Sequence, residues 1–67
     1  NIVSEEDAKE KARKILEEYG FKNEKIRYIE FENDIQNNKT IWKVETENNI
    51  FIEFDAKSGE LLKIKCD

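Results

Sequence analysis

The sequence predicts an α+β domain in which one N-terminal helix packs on one face of a three- to four-stranded antiparallel β-meander. Apolar residues recur at helical spacing from Ala8 to Tyr19, and from Lys25 onward the period changes from 3.6 to 2 as β-branched and aromatic residues take over. One stripe of the helix and one face of the sheet are apolar, so each is the natural cover for the other.

The helix begins at Ser4-Glu5-Glu6-Asp7, which has capping-box spacing. The Ser4 hydroxyl is placed to accept from the Asp7 N–H, and the acidic first turn suits the positive end of the helix dipole. Val3 before the cap and Ala8 after it have the spacing of a hydrophobic staple. Ala8, Ala12, Ile15, Leu16 and Tyr19 then share one stripe, and Gly20 supplies the left-handed residue that commonly ends a helix. Lys9, Lys11, Arg13 and Lys14 read as a solvated face rather than a binding patch, because Glu5–Lys9, Asp7–Lys11 and Glu10–Lys14 are i,i+4 pairs of favourable orientation.

Four strands are expected, at about 26–32, 40–46, 50–55 and 60–66. Pairing arithmetic sets their register, since residues opposed across an antiparallel ladder share a face. A two-residue turn at Asn48-Asn49 would set Val44 against Glu53 and mix charge into the core. A three-residue loop, Glu47-Asn48-Asn49, instead pairs Thr46 with Ile50, Val44 with Ile52 and Trp42 with Phe54, and puts Asn49 in the left-handed position of a G1 bulge. Repeating that geometry with Gly59 pairs Phe54 with Leu62 and Ile52 with Ile64, and lines up Lys43, Glu53 and Lys63 as an alternating charge row on the other face. In the first strand Ile29 and Phe31 compete with Ile26 and Tyr28; the preferred reading turns Ile29 and Phe31 inward and keeps the Tyr28 hydroxyl wet. The stretch from Glu32 to Lys39 reads as a polar loop.

The inventory excludes most chemistry. The 67 residues (8.0 kDa) suffice for one domain, and twelve Lys plus Arg against sixteen Asp plus Glu give a net charge of −4. There is no His and one Cys, which removes zinc fingers, His-based acid–base dyads and Cys–His nucleophiles. Two glycines cannot build a glycine-rich phosphate cradle, so no cofactor is expected. Interleaved charges of net negative sign argue against nucleic acid, and the longest apolar run, Ile50-Phe51-Ile52, argues against membrane contact by this segment itself. The chain starts at Asn1 rather than Met, the expected appearance of a processed form or a fragment of a longer protein.

Short motifs carry little. Asp55-Ala56-Lys57-Ser58-Gly59 looks superficially like a calcium loop, but Lys57 occupies a ligand position and turn chemistry accounts for Asp55 and Gly59. Asn38-Lys39-Thr40 is a glycosylation sequon of a kind common by chance. Cys66 shares the inward parity of Leu62 and Ile64 and is expected to be a buried small hydrophobe without an intramolecular disulfide. Trp42 and Phe54 read as core, whereas Phe51 points outward.

With these elements in place the chain resembles a PepSY domain. The resemblance rests on Ile2-Val3-Ser4-Glu5-Glu6-Asp7-Ala8-Lys9-Glu10-Lys11-Ala12, on Ile41-Trp42-Lys43-Val44-Glu45-Thr46, and above all on Ile52-Glu53-Phe54-Asp55-Ala56-Lys57-Ser58-Gly59-Glu60-Leu61-Leu62. The last segment is similar to the family's D-A-x-[ST]-G-[EK] hairpin, and the match covers almost the whole chain as a single domain, 1–67. Asp34–Lys39 departs from the family's tighter turn, and Cys66 has no family role. The resemblance implies an extracytoplasmic, mostly bacterial module that is not an enzyme. It would bind or regulate a protein partner, either a secreted peptidase, by inhibiting or chaperoning it, or a cell-envelope protein. The alternative is a structural spacer or sensor domain of a membrane-tethered protein with no specific ligand. A partner is expected on the outer sheet face, where parity places Ile41, Phe51 and Leu61 among Lys43, Glu45, Glu53, Lys63 and Lys65, and secondly on an unpaired strand edge.

Overall fold

A computed structural model describes residues 1–67 and contains one helix, α1 (Glu5–Glu18), followed by β1 (Ile26–Asp34), β2 (Lys39–Thr46), β3 (Ile50–Asp55) and β4 (Leu61–Cys66). The strands form a single antiparallel sheet in the order β1-β2-β3-β4, so the α+β meander has four strands. Helix residues Ala8, Ala12, Ile15 and Leu16 share one core with Trp42, Val44, Ile50, Ile52, Phe54 and Ala56.

Both helix ends are built as the local sequence dictates. The Ser4 hydroxyl accepts from the Asp7 N–H at 3.2 Å. At the other end Gly20 is left-handed (φ 87°), its N–H donates to the Glu17 carbonyl, and the Phe21 N–H donates to the Leu16 carbonyl at 2.8 Å, which is a Schellman closure. Phe21 packs against the core beside Leu16. Tyr19, expected to finish the apolar stripe, is 54% exposed because it is already the C-cap, where the chain leaves the helix. Of the three i,i+4 pairs, Glu5–Lys9 forms at 3.7 Å, while Glu10 turns instead to Arg13 at 3.3 Å.

The N-terminal arm is stitched to the sheet. The Val3 N–H donates to the Ala56 carbonyl at 2.8 Å, and the Val3 carbonyl accepts from the Trp42 indole N–H at 2.9 Å. Val3 therefore joins β2 to the β3–β4 turn and satisfies the polar atom of a buried Trp.

The β2–β3 register is the expected one, with Trp42 opposite Phe54, Val44 opposite Ile52 and Lys43 opposite Glu53. Asn49 is left-handed (φ 64°) and its N–H donates to the Thr46 carbonyl. The fully buried Thr46 hydroxyl accepts from the Ile50 N–H at 3.2 Å, which closes the loop.

Two β-bulges alter the expected parity. In β1, Ile26 pairs with Thr46 and Tyr28 with Glu45, leaving Arg27 as an extra residue. Ile26 and Ile29 consequently both pack on the core, which resolves the competition between the two faces of this strand. Phe31 also turns inward, opposite Trp42 and edge-on to its ring (centroids 5.3 Å apart), yet it stays 39% exposed. In β4, Ile52 faces Ile64 and Glu53 faces Lys63 as expected, but Phe54 faces Leu61 instead of Leu62. Leu62 is the extra residue, and Leu61 packs against the core.

Half of the stretch expected to be a long polar loop is strand, and β1 and β2 are joined by residues 35–38 alone. The Asp34 carboxylate accepts from the Asn37 backbone and side-chain N–H groups at 3.2 and 2.8 Å, and Asn38 is left-handed (φ 55°). Asn38 of the sequon is thus committed to a tight turn, and the Thr40 hydroxyl oxygen is buried. Cys66, expected inside, is exposed: it lies at the end of an edge strand, two residues beyond Ile64, the last β4 side chain that reaches the core.

The β3–β4 turn is organised by Asp55, whose Oδ1 accepts from the N–H groups of Lys57 (2.7 Å) and Ser58 (2.9 Å). The Ser58 and Lys57 hydrogen bonds hold the Asp55 carboxyl below its ordinary pKa, and those from Asn37 do the same for Asp34. A carboxyl depressed in the folded state adds stability above its unfolded pKa of about 3.9 and loses it as pH falls through the folded value. Thermal midpoints measured from pH 7 downward are therefore expected to fall, beginning near pH 5 and continuing below about 3.9. Asp55→Asn, which keeps an acceptor oxygen, should flatten that acid limb, whereas an unchanged slope in both Asp55→Asn and Asp34→Asn would contradict the assignment.

Candidate functional site

The helix covers one sheet face and leaves the other to solvent. On that outer face Glu30, Lys43, Glu53 and Lys63 are opposed in sequence across all four strands, extending the expected three-residue charge row into β1. Each charge faces the opposite sign, the favourable arrangement for cross-strand pairs. One ion pair is diagonal: the Lys43 ammonium sits 2.6 Å from Glu32, whose hydrogen bond and charge raise the Lys43 pKa and keep it cationic. The bulge aims Arg27 at Glu45, and the same guanidinium donates to the Asn49 side chain at 2.8 Å.

Between these charges lies a shallow depression of about 170 Å³, lined by Tyr28, Glu30, Lys43, Glu45, Phe51 and Glu53 with the strand residues Val44 and Ile52. Tyr28 is 51% exposed, and Phe51 is half-buried opposite Glu45 and Lys65. The Glu30 charge, reinforced by partial desolvation, raises the Tyr28 pKa above its ordinary value. Its hydroxyl therefore remains a donor at neutral pH. The depression is smaller than the roughly 300 Å³ at which small-molecule pockets begin. It suits a side chain of a docked protein.

Of the three expected contact residues, only Phe51 lines this depression. Ile41 lies between Glu32 and Asp55 on neighbouring strands and is 8% exposed, so it offers a partner little area. Leu61 is turned to the core by the β4 bulge. Tyr28 takes their place; its outward parity is legible in the sequence, but its position across Glu45 from Phe51 depends on the Arg27 bulge.

A wider depression of about 370 Å³ lies between α1 and the β3–β4 turn, where Lys11, Lys14 and Lys57 are offset by Asp7 and Glu10. No group of three or more acidic or thiol side chains is poised to hold a metal ion, and no helix is long and apolar enough to cross a membrane.

These features define a small helix-on-meander module whose outer sheet face carries balanced charges around two aromatic side chains. The chain belongs to the PepSY family: the model described as "Peptidase propeptide and YPEB domain" matches residues 2–65, essentially its full length. No curated protein and no solved structure matches it. The family is one of propeptide-like or regulatory modules.

Proposed function

We propose that the chain is a non-catalytic regulatory module that works outside the cytoplasm and holds a protein partner, a secreted peptidase or a cell-envelope protein, on its outer sheet face. The family match over residues 2–65 carries this reading. The local chemistry supports it: an aromatic pair, Tyr28 and Phe51, supplies contact area, and Glu30, Glu45, Glu53 and Lys43 around it supply the polar rim usual at such contacts. Opposed charges on one surface favour selectivity and orientation more than raw affinity.

The test is a titration of the peptidase encoded with or beside this chain, read as inhibition and as binding heat. The double variant Tyr28→Ala/Phe51→Ser is expected to weaken binding about tenfold or more while its thermal midpoint moves little. Unaltered affinity in a folded variant would remove the outer face as the contact surface. Failure of the unmodified chain to bind either the peptidase or an envelope protein of its source would remove the regulatory reading itself.

A further inference from the structure

The meander leaves two unpaired edges, β1 and β4, and their side chains are complementary. On β4 the regular stretch beyond the bulge is Lys63-Ile64-Lys65-Cys66, with both lysines outward, Ile64 against the core and Cys66 exposed. On β1 the stretch beyond its bulge includes Ile29-Glu30-Phe31-Glu32, with both acids outward and Ile29 and Phe31 inward. We infer that a second copy of this chain docks edge to edge, its β1 adding to β4 and continuing the sheet.

The geometry needs no rearrangement. Because successive strands alternate in direction, a copy shifted along the sheet without being turned over presents a β1 antiparallel to β4, with its helix on the same face. Four strands at about 4.8 Å set neighbouring helices roughly 19 Å apart, clear of the ~10–12 Å diameter of a helix. In the register that opposes Glu30 with Lys65 and Glu32 with Lys63, Phe31 meets Ile64 and Ile29 meets Cys66. Phe31, 39% exposed, then gains cover that its own helix does not supply. The two bulges fall at opposite ends of this four-residue stretch and limit the pairing to it. Like-edge pairing would instead oppose lysine with lysine or glutamate with glutamate, so charge selects the head-to-tail contact. Such a contact is heterologous and repeats. It is also small, below the area of stable complexes, and association is expected only at concentrations on the order of 1 mM.

This inference goes beyond the outer-face reading and fails separately from it. Sedimentation equilibrium under reductant, at low salt and up to about 1 mM protein, is expected to show an average mass rising steadily above 8.0 kDa and falling back at ~0.5 M salt. Lys63→Glu/Lys65→Glu and Glu30→Lys/Glu32→Lys should each stay monomeric, and an equimolar mixture of the two should regain the rise, since each variant's edges then face opposite charges. Circular dichroism verifies folding, and Glu30→Lys alone replaces the β1 variant if loss of the Glu32–Lys43 pair unfolds it. Amide shifts that change with concentration should be confined to 29–32 and 63–66. A monomer at every concentration, a closed dimer of fixed mass, or charge variants that associate like the unmodified chain would overturn the inference.

Discussion

Replacing Phe54 by Ala is expected to remove about 3–5 kcal/mol, a third or more of the stability of the fold. Phe54 is completely buried, opposite Trp42 on one side and Leu61 on the other, at the point where sheet, helix and the bulged strand share a core. Truncating a buried Phe costs about 3–5 kcal/mol in lost transfer energy and cavity. A chain of this length, at roughly 0.05–0.15 kcal/mol per residue, has only about 3–10 kcal/mol in all. Phe54→Leu, which keeps most of the volume, should leave a folded protein with a lowered urea midpoint. A loss below about 1 kcal/mol for Phe54→Ala would show that the core is centred elsewhere.

Trp42 carries the second large effect, and two substitutions separate its parts. Trp42→Ala removes a large buried ring and the edge contact with Phe31, and is expected to cost about 3–5 kcal/mol. Trp42→Phe keeps much of the ring but leaves the Val3 carbonyl without its donor, a loss of about 1–3 kcal/mol where the group is desolvated. The variant has a local signature. Exchange of the Val3 amide, which donates to the Ala56 carbonyl, should accelerate more than exchange in β2 and β3. Uniform acceleration across the sheet would mean that the arm is not held through Trp42.

These positions were legible because helix stripe and strand parity both depend on a constant period. Ala8, Ala12, Ile15 and Leu16 fall on one stripe, and only one loop length at Asn48-Asn49 keeps Glu53 out of the core; both readings match the structure. The period fails at a bulge, where one added residue reverses the parity beyond it. Strand parity alone therefore puts Leu61 outward and Leu62 inward. Signals of the interruption were present: Ile26 and Ile29 are an odd number apart, and Leu61-Leu62 is an apolar doublet in an otherwise alternating strand. The β1–β2 turn was hidden for another reason. Its polar residues gave no period, and the informative feature was the three-residue spacing of Asp34 and Asn37, which closes an Asx-type turn. Cys66 shows the remaining limit, since parity says which way a side chain points and not whether anything lies there to cover it.

The outer sheet face, and not the helix, is expected to meet a partner. Amide shifts of the isotope-labelled chain, recorded during titration with a secreted peptidase of its source, check this. Changes are expected at Tyr28, Lys43, Glu45, Phe51 and Glu53, which line the outer face, with Lys9, Arg13 and Glu17 on the helix unmoved. Shifts concentrated on the helix while Tyr28 and Phe51 stay silent would contradict it.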